Sequence, residues 1–556
     1  MVFYFHQKTL SLHVNKQNNM SIYKKIILGL LIALFVQNTS LIGANTTSKQ
    51  AIAQAVLDDI ANALNESNAP VLQIVSNAPN LVADYNPNVP PNGLIRLSEK
   101  AYDLCDNLKN QSKDALAVIL AHELIHHHRH HQYTVSYAYT GKNTLIKPAN
   151  VRRTEAEADS LGLFYAYAAG YNVLKIAPNL LDIIYKTYQF PEKTGAYPSL
   201  KERRGMAKEQ SQNLQKYAPI WEASKWLYVL NHYNEAAEGF VYLSNKLPAR
   251  EMYHNAGTAK LMAALSLFDP KEQPFAYPIE LDAYNRLTNT TSRGTESTDL
   301  AQRTKALNEA IKYFEKAQNI DPDYLPARIG LAAANNLLTK TGTALDLLNA
   351  LLQQYPKYAN AYTLRGIVYA SQKECDQAKK DFEKAKTLNG LYANANYNAL
   401  EQTKDCQSWW VNWMPEWFDS DATTTTPKRL NPNAEKIDNL NPKNLPNNAS
   451  SINRTGITVG SWAIKFYDQN TNAYWITAPN FVLQTIQTSS NYAGKSSQNV
   501  LLKSTTADVQ RSYGAPNAKV NTVQGECWVY KSGKIAFLFD KQRQVNGWML
   551  YSYDQK

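Results

Sequence analysis

A chain of 556 residues has room for three or four domains. Hydrophobic residues at 44% and aromatics at 11% are enough for folded cores and exclude general disorder. The net charge of +11 is spread thinly, without a Lys/Arg stripe, which argues against a nucleic-acid partner.

Near the start, Lys24 and Lys25 precede an apolar run from Ile26 to Val36, and Ser40-Leu-Ile-Gly-Ala44 ends on a small residue. This is the pattern of a cleavable secretory signal over residues 1–44, with Met20 at its natural beginning. The run is too short for a comfortable membrane span; an uncleaved N-terminal anchor is the alternative. No cysteine stands at the cut, so lipid anchoring is not indicated. Beyond it no stretch of about 18 apolar residues is free of polar interruption. The expectation is an exported chain, periplasmic or secreted, with no transmembrane span once processed.

The next informative element is a predicted helix. Ser112 is placed as its N-cap and Asp114 lies in its first turn. Leu116, Ile119, Leu120 and Leu124 give it an apolar face at helical spacing. The same helix then carries H-E-L-I-H-H-H-R-H-H, residues 122–131. His122 and His126 stand four apart on one face, so both imidazoles can reach a single metal ion. Glu123 projects beside that ion, where a carboxylate can take a proton from water. A second predicted helix contains R-R-T-E-A-E-A-D-S-L-G, residues 152–162, with Glu155 and Asp159 again four apart. Glu155 would complete a His-His-Glu zinc site, and Asp159 could orient a ligand imidazole from behind. The further histidines, His127, His128, His130 and His131, read as a solvated helix end, with an accessory metal patch as the alternative.

Taken together, these motifs resemble the HtpX-like and CAAX-prenyl-protease family of zinc metallopeptidases over roughly residues 50–205. The family pattern is H-E-x-x-H, then an Arg-His pair (here Arg129 and His130), then E-x-x-x-D on a second helix. The segment Pro91-Asn-Gly-Leu-Ile-Arg-Leu-Ser98 resembles the strand that precedes the motif helix. The resemblance implies one Zn2+ per chain on His122, His126 and Glu155, with Glu123 as general base. Asp159, Arg129 and Arg203 would stand behind the ligands. One element departs: the family's His-Pro pair, followed by an Arg, reads here Tyr197-Pro-Ser-Leu-Lys-Glu-Arg203. Tyr197 could donate its phenol to a developing oxyanion, or be a plain loop residue. The family's membrane-bound members differ from this chain, which looks closer to the periplasmic branch, where a peptidase domain precedes tetratricopeptide repeats.

Downstream, a 34-residue step links Ala310, Ala344 and Ala378, and likewise Phe314, Leu348 and Phe382. Ala317, Leu351 and Ala385 keep it, as do Pro322, Pro356 and Gly390. That step is the period of tetratricopeptide repeats, in which small residues let paired helices approach. Ala236, Phe240, Leu243 and Pro248 suggest an earlier, degenerate copy. The Thr/Ser-rich stretch 289–299 reads as a loop, and the tryptophan cluster at 409–418 as a cap on the last repeat.

Residues 419–452 are polar and rich in Asn, Thr and Pro, and read as a linker with no reason to pack. Strand-like runs follow at 528–530, 535–539 and 548–551, after a short helix at 506–513. Their order loosely resembles the small outer-membrane assembly domain of the SmpA/OmlA type. Cys375, read as the end of the first helix of one repeat, and Cys406, near the corresponding end of the next, could form a disulfide in an oxidising compartment, leaving Cys105 and Cys527 as buried thiols.

The expected fold is mainly α. A zincin-type metallopeptidase domain (45–216) precedes an α-solenoid of tetratricopeptide repeats (217–418), a linker (419–452) and a small α+β domain (453–556). The expected function is an exported zinc endopeptidase acting on envelope or misfolded polypeptides recruited by the repeats, the substrate lying extended beside the edge strand Leu94–Leu97. The repeats or the tail would also offer a surface to an outer-membrane assembly partner. The alternative is an assembly chaperone whose zinc site is silent or latched.

Overall fold

The computed structural model describes residues 48–64, 66, 68–131, 137, 148–192, 199–269, 272–281, 300–403, 406, 430–437, 440–442, 457–466, 474–478, 481–488, 492–522 and 525–552. The expected signal, Tyr197, the loop at 289–299 and the tryptophan cluster lie outside the described residues. The chain divides into two compact units, one of residues up to 59, 68–162 and 175–205, the other of 60–67, 163–174 and 206–556. Among the described residues, no helix is long and apolar enough to cross a membrane.

The first unit opens with helix α1 (48–63), which begins in it, and a three-stranded sheet in the order β1-β3-β2. β1 (Val71–Val75) runs parallel to β3 (Leu94–Ser98), and β2 (Ala83–Asn86) runs antiparallel to it. β3 is therefore the central strand, which corrects the expectation of a free edge at Leu94–Leu97. Its second neighbour, β1, comes from some twenty positions upstream, beyond the reach of a local reading. Gly93, at φ +87°, leads into β3 where an added Cβ would stand 2.5 Å from the Tyr85 ring.

Helix α2 (Glu99–Asp106) is capped by Ser98, whose hydroxyl accepts from the Ala101 N–H. A 3-10 turn at Lys109–Gln111 runs directly into α3 (Ser112–His128). Ser112 is thus the first residue of α3 instead of its cap; its N–H is already donated to the Lys109 carbonyl. Leu116, Ile119, Leu120, Leu124 and Ile125 are all fully buried, so α3 is a core helix wrapped on nearly every side. Helix α4 (Pro148–Ala168) crosses it closely at Gly162, where an added Cβ would lie 2.9 Å from the His122 backbone nitrogen. Helices α5 (Val173–Tyr188) and α6 (Leu200–Val229) follow, α6 running unbroken through position 216.

The second unit is a run of paired helices: α7 (Tyr233–Ser244), α8 (Arg250–Leu265), α9 (Leu300–Ile320), α10 (Leu325–Leu337), α11 (Thr341–Gln354), α12 (Ala359–Ser371), α13 (Cys375–Thr387) and α14 (Ala393–Gln402). Ala310, Ala344 and Ala378, with Phe314, Leu348 and Phe382, are fully buried at their helix contacts. Gly366 admits the Phe382 ring, which would stand 2.6 Å from a Cβ there. Cys375 and Cys406 form the expected disulfide, with Cα atoms 5.4 Å apart. Cys375 opens the second helix of its repeat; the first ends four residues earlier.

The same unit carries an antiparallel eight-stranded sheet in the order β4-β5-β6-β7-β11-β10-β9-β8. β4 (Ile457–Val459), β5 (Trp462–Phe466), β6 (Tyr474–Ala478) and β7 (Phe481–Gln487) precede helix α15 (Thr506–Tyr513); β8 (Ala518–Thr522), β9 (Gly525–Tyr530), β10 (Ile535–Phe539) and β11 (Val545–Ser552) follow it. Thr505 and Asp508 form a capping box on α15. The turn between β4 and β5 docks on α7: Glu238 accepts from the Ser461 N–H at 2.7 Å, and the Trp462 indole N–H donates to the Glu235 carbonyl at 3.0 Å. The stretch read as an unpacked linker is corrected in its described part. Ile437 is fully buried in the core of the sheet, and the buried Glu435 carboxylate accepts from the Tyr513 hydroxyl at 2.6 Å. Polar composition hid these anchors among prolines and asparagines.

Candidate metal centre

Helices α3 and α4 bring His122, His126 and Glu155 together, with one ligand atom from each lying within 4.8 Å of the others. The two Nε2 atoms are 3.0 Å apart. Glu155 Oε2 lies 3.3 Å from His122 Nε2, and its Oε1 3.5 Å from His126 Nε2. Bonds of about 2.0–2.1 Å in a tetrahedral zinc site imply ligand separations of roughly 3.3 Å, so the triangle has the right size. All three side chains are at most 2% exposed.

Each imidazole is turned by a bond at its far nitrogen. His122 Nδ1 donates to Asp159 Oδ1 at 2.8 Å, which turns Nε2 towards the triangle. Asp159 is gripped by Arg203, whose Nη2 donates to both carboxylate oxygens at 2.8 and 3.0 Å. Burial opposes charge on Asp159, but Arg203 and His122 outweigh it and hold the carboxyl well below its usual range. His126 Nδ1 meets His131 Nδ1 at 2.9 Å. His131 Nε2 in turn lies 3.6 Å from Glu157, which accepts from Arg129 Nε at 2.6 Å. His131, then Arg129, hold the Glu157 carboxyl down to about 2 against partial burial.

Arg129 therefore serves the centre at one remove, behind Glu157 and His131, two residues the motif reading had not assigned. His130, its partner in the Arg-His pair, is exposed. It adopts φ +51° and closes the end of α3: its N–H bonds the His127 carbonyl, and the His131 N–H bonds the His126 carbonyl at 2.9 Å. This is the paired bonding of a Schellman turn, and it folds His131 back over the last turn of the helix. His127 lies apart, 3.0 Å from the Tyr85 hydroxyl. Tyr137, also unassigned, stands edge-on to His122 with ring centroids 4.9 Å apart. Arg203 lies over the same ring at 5.0 Å, and the Tyr137 N–H donates to Ala83 O on β2 at 2.8 Å.

Glu123 is fully buried, and neither carboxylate oxygen has a hydrogen-bond partner among the described residues. Desolvation drives its pKa well above the ordinary value, with Glu155 and Asp84 adding to the effect and His122 and Arg203 opposing it. Burial also opposes charge on His122, yet Asp159 and Glu155 overcome it and lift its pKa to about 10. The second imidazole goes the other way: burial pushes His126 down to about 3. Glu155 and Asp159 are held ionised in this buried space, and Arg203 and His122 are the cationic groups that face them. The nitrogen and oxygen donors suit zinc.

The tetratricopeptide-repeat family model matches residues 299–324 and 359–390, which cover α9, α12 and α13. No curated protein matches the chain. The helices at about 300–390 are tetratricopeptide-like repeats, a class of array whose surfaces commonly bind other proteins.

Proposed function

We propose that the chain is a zinc-dependent endopeptidase of the HtpX-like kind, exported to the cell envelope, whose repeat array recruits polypeptide substrates. The observation that carries the reading is Glu123: a buried carboxylate with two unpartnered oxygens beside a His122–His126–Glu155 triangle of zinc dimensions. Zinc held there would polarise water and the scissile carbonyl. His122, His126 and Glu155 would hold the ion, Asp159 and His131 fix the two rings, and α3 excludes bulk water. A Glu123 carboxylate oxygen takes the proton from the attacking water and delivers it to the leaving amide nitrogen. An extended substrate would lie beside β2, the outer strand on the side where Tyr85 reaches His127 of α3. The C-terminal sheet would add a partner surface of the outer-membrane assembly kind.

The test is cleavage of unfolded casein by the mature chain beside Glu123→Gln, with zinc counted in both. Cleavage by the parent alone, with about one zinc in each, supports the peptidase. Zinc in both with cleavage by neither favours the assembly-chaperone reading, and an absence of zinc removes both.

A further inference from the structure

The division between the two compact units does not fall in a linker. It cuts α1 after Asp59, α4 after Gly162 and α6 after Gly205, so each of these helices is shared unbroken. Unit boundaries ordinarily fall in exposed linkers where few contacts cross. Here α4 carries Glu155 and Asp159 before the cut, and Phe164 and Tyr165 just beyond it.

The end of α4 is held by the start of the repeat array. Phe164, 1% exposed, stands edge-on to Trp221 of α6 with ring centroids 5.4 Å apart, and Trp221 meets Phe240 of α7 at 5.5 Å. The hydroxyl of the fully buried Tyr165 donates to Oε2 of Glu251 on α8, itself fully buried. Glu251 Oε1 accepts from Arg250 Nε at 2.7 Å. The same guanidinium donates to Asp321 just past α9 and, at 3.2 Å, to the Leu64 carbonyl just past α1. It also lies over the Tyr324 ring at 4.6 Å. Displacing one partner of such a buried network leaves a charge uncompensated, so the network holds its members to one arrangement.

That hold reaches the metal centre because a helix is stiff along its axis. Tyr165 and Glu155 are ten residues apart, about 15 Å of helix. Metal–ligand distances are fixed to about 0.2 Å, a small fraction of the ~1.5 Å rise of one residue. The contact at Gly162 lets α4 lie close to α3 but offers no side chain to stop one helix from sliding on the other. We propose that Tyr165 and Glu251 are positioning residues: through this hydroxyl the start of the array sets the axial position of α4, and hence the distance of Glu155 from His122 and His126. Arg250 ties the same carboxylate to Asp321, so a shift of α9 against α8 is carried to α4, and what the array binds is felt at the centre. The consequence rests on the reading of His122, His126 and Glu155 as metal ligands; the hold on α4 does not.

The experiment uses the full chain and Tyr165→Phe, which removes one oxygen and keeps the buried ring. In the metal-free variant, hydrogen exchange at residues 155–161 should be about tenfold faster than in the parent, with α12 unchanged. Loaded with Co2+, the variant should show a shifted visible absorption band and about tenfold weaker binding of the ion. Arg365→Gln, which cuts the bonds to Asp381 and Asn349 within the array, is the control. It should lower the melting temperature and leave both readouts at α4 unchanged. Unchanged exchange at 155–161 in a folded Tyr165→Phe chain overturns the proposal, as does an unaltered Co2+ spectrum or an equal acceleration in Arg365→Gln. Should Tyr165→Phe not fold, Asp321→Asn, on the far side of Arg250, is read in the same way. Faster exchange at 155–161 in a variant whose parent binds no Co2+ supports the hold on α4 and removes the metal reading alone, so the two fail separately.

Discussion

His131 Nδ1 lies 2.9 Å from His126 Nδ1, so a residue beyond the end of α3 fixes the ring of a candidate metal ligand inside it. The mirror arrangement on the other ligand uses Asp159, and each outer partner is anchored by an arginine, Arg203 directly and Arg129 through Glu157. Removing a hydrogen-bond partner of a ligand imidazole weakens metal binding by about 10- to 100-fold. His131→Ala should therefore lower zinc affinity by that factor in a chelator competition. His130→Gly should leave it unchanged, because glycine accepts the left-handed turn that His130 now adopts. Equal losses in both variants would mean that the turn matters and the imidazole does not.

Glu157 gives this outer layer a pH signature. Its carboxyl is held down to about 2 in the fold, below the ordinary 4.5, by His131 and Arg129. A depressed carboxylate contributes stability that is full above about pH 4.5 and is lost as pH falls towards about 2. Glu157→Gln should therefore melt below the parent at pH 7, and the gap should close progressively below pH 4.5. A gap of constant size from pH 7 to 3 would show that packing, not charge, explains the loss.

Gly162 sets the distance between the two ligand-bearing helices. A Cβ there would meet the His122 backbone nitrogen at 2.9 Å and its Cα at 3.1 Å, atoms that cannot swing aside. Gly162→Ala should cost about 1–3 kcal/mol and move Glu155 away from the two imidazoles, with loss of bound zinc. Gly205, in α6, has nothing within 4 Å of the corresponding position, so Gly205→Ala should be neutral or stabilising by up to about 1 kcal/mol. Melting temperature and zinc content measured on both variants separate helix propensity from helix contact.

The cluster of His122, His126 and Glu155 was legible because helical spacing puts residues four apart on one face, His122 with His126 and Glu155 with Asp159. The repeats were legible because a 34-residue step recurs at several buried positions. His131 was hidden among neighbouring histidines, since its place depends on the sign of φ at His130, a property composition does not carry. Its signal lay in the turn: the second residue past a left-handed cap packs against the helix's last turn. Leu94–Leu97 was misread as an edge because β1 pairs with it from a distance in sequence. The burial of Phe275, Tyr277 and Ile279 in the repeat core was missed because the neighbouring bonds come from Asn336, Asn396 and His254, side chains with no periodic relation to that stretch.

The disulfide closes a loop of 31 residues that contains all of α14, and therefore Asn396. Constraining a loop of that size stabilises by about 3–4 kcal/mol in the chain-entropy description. The native chain should show no fast-reacting thiol, since burial pushes the Cys105 thiol far up and that of Cys527 to about 12. Reduction, or Cys375→Ser, should speed hydrogen exchange in α14 while leaving α9 protected, because the bond ties down only the last helix pair. It should also loosen Ala276, whose N–H and carbonyl both bond Asn396. Exchange mapped on oxidised and reduced chains checks both effects at once. Faster exchange in α14 with unchanged protection at Ala276 would mean that the burial of Phe275 and Tyr277, and not the bonds to Asn396, holds Ala276 in place.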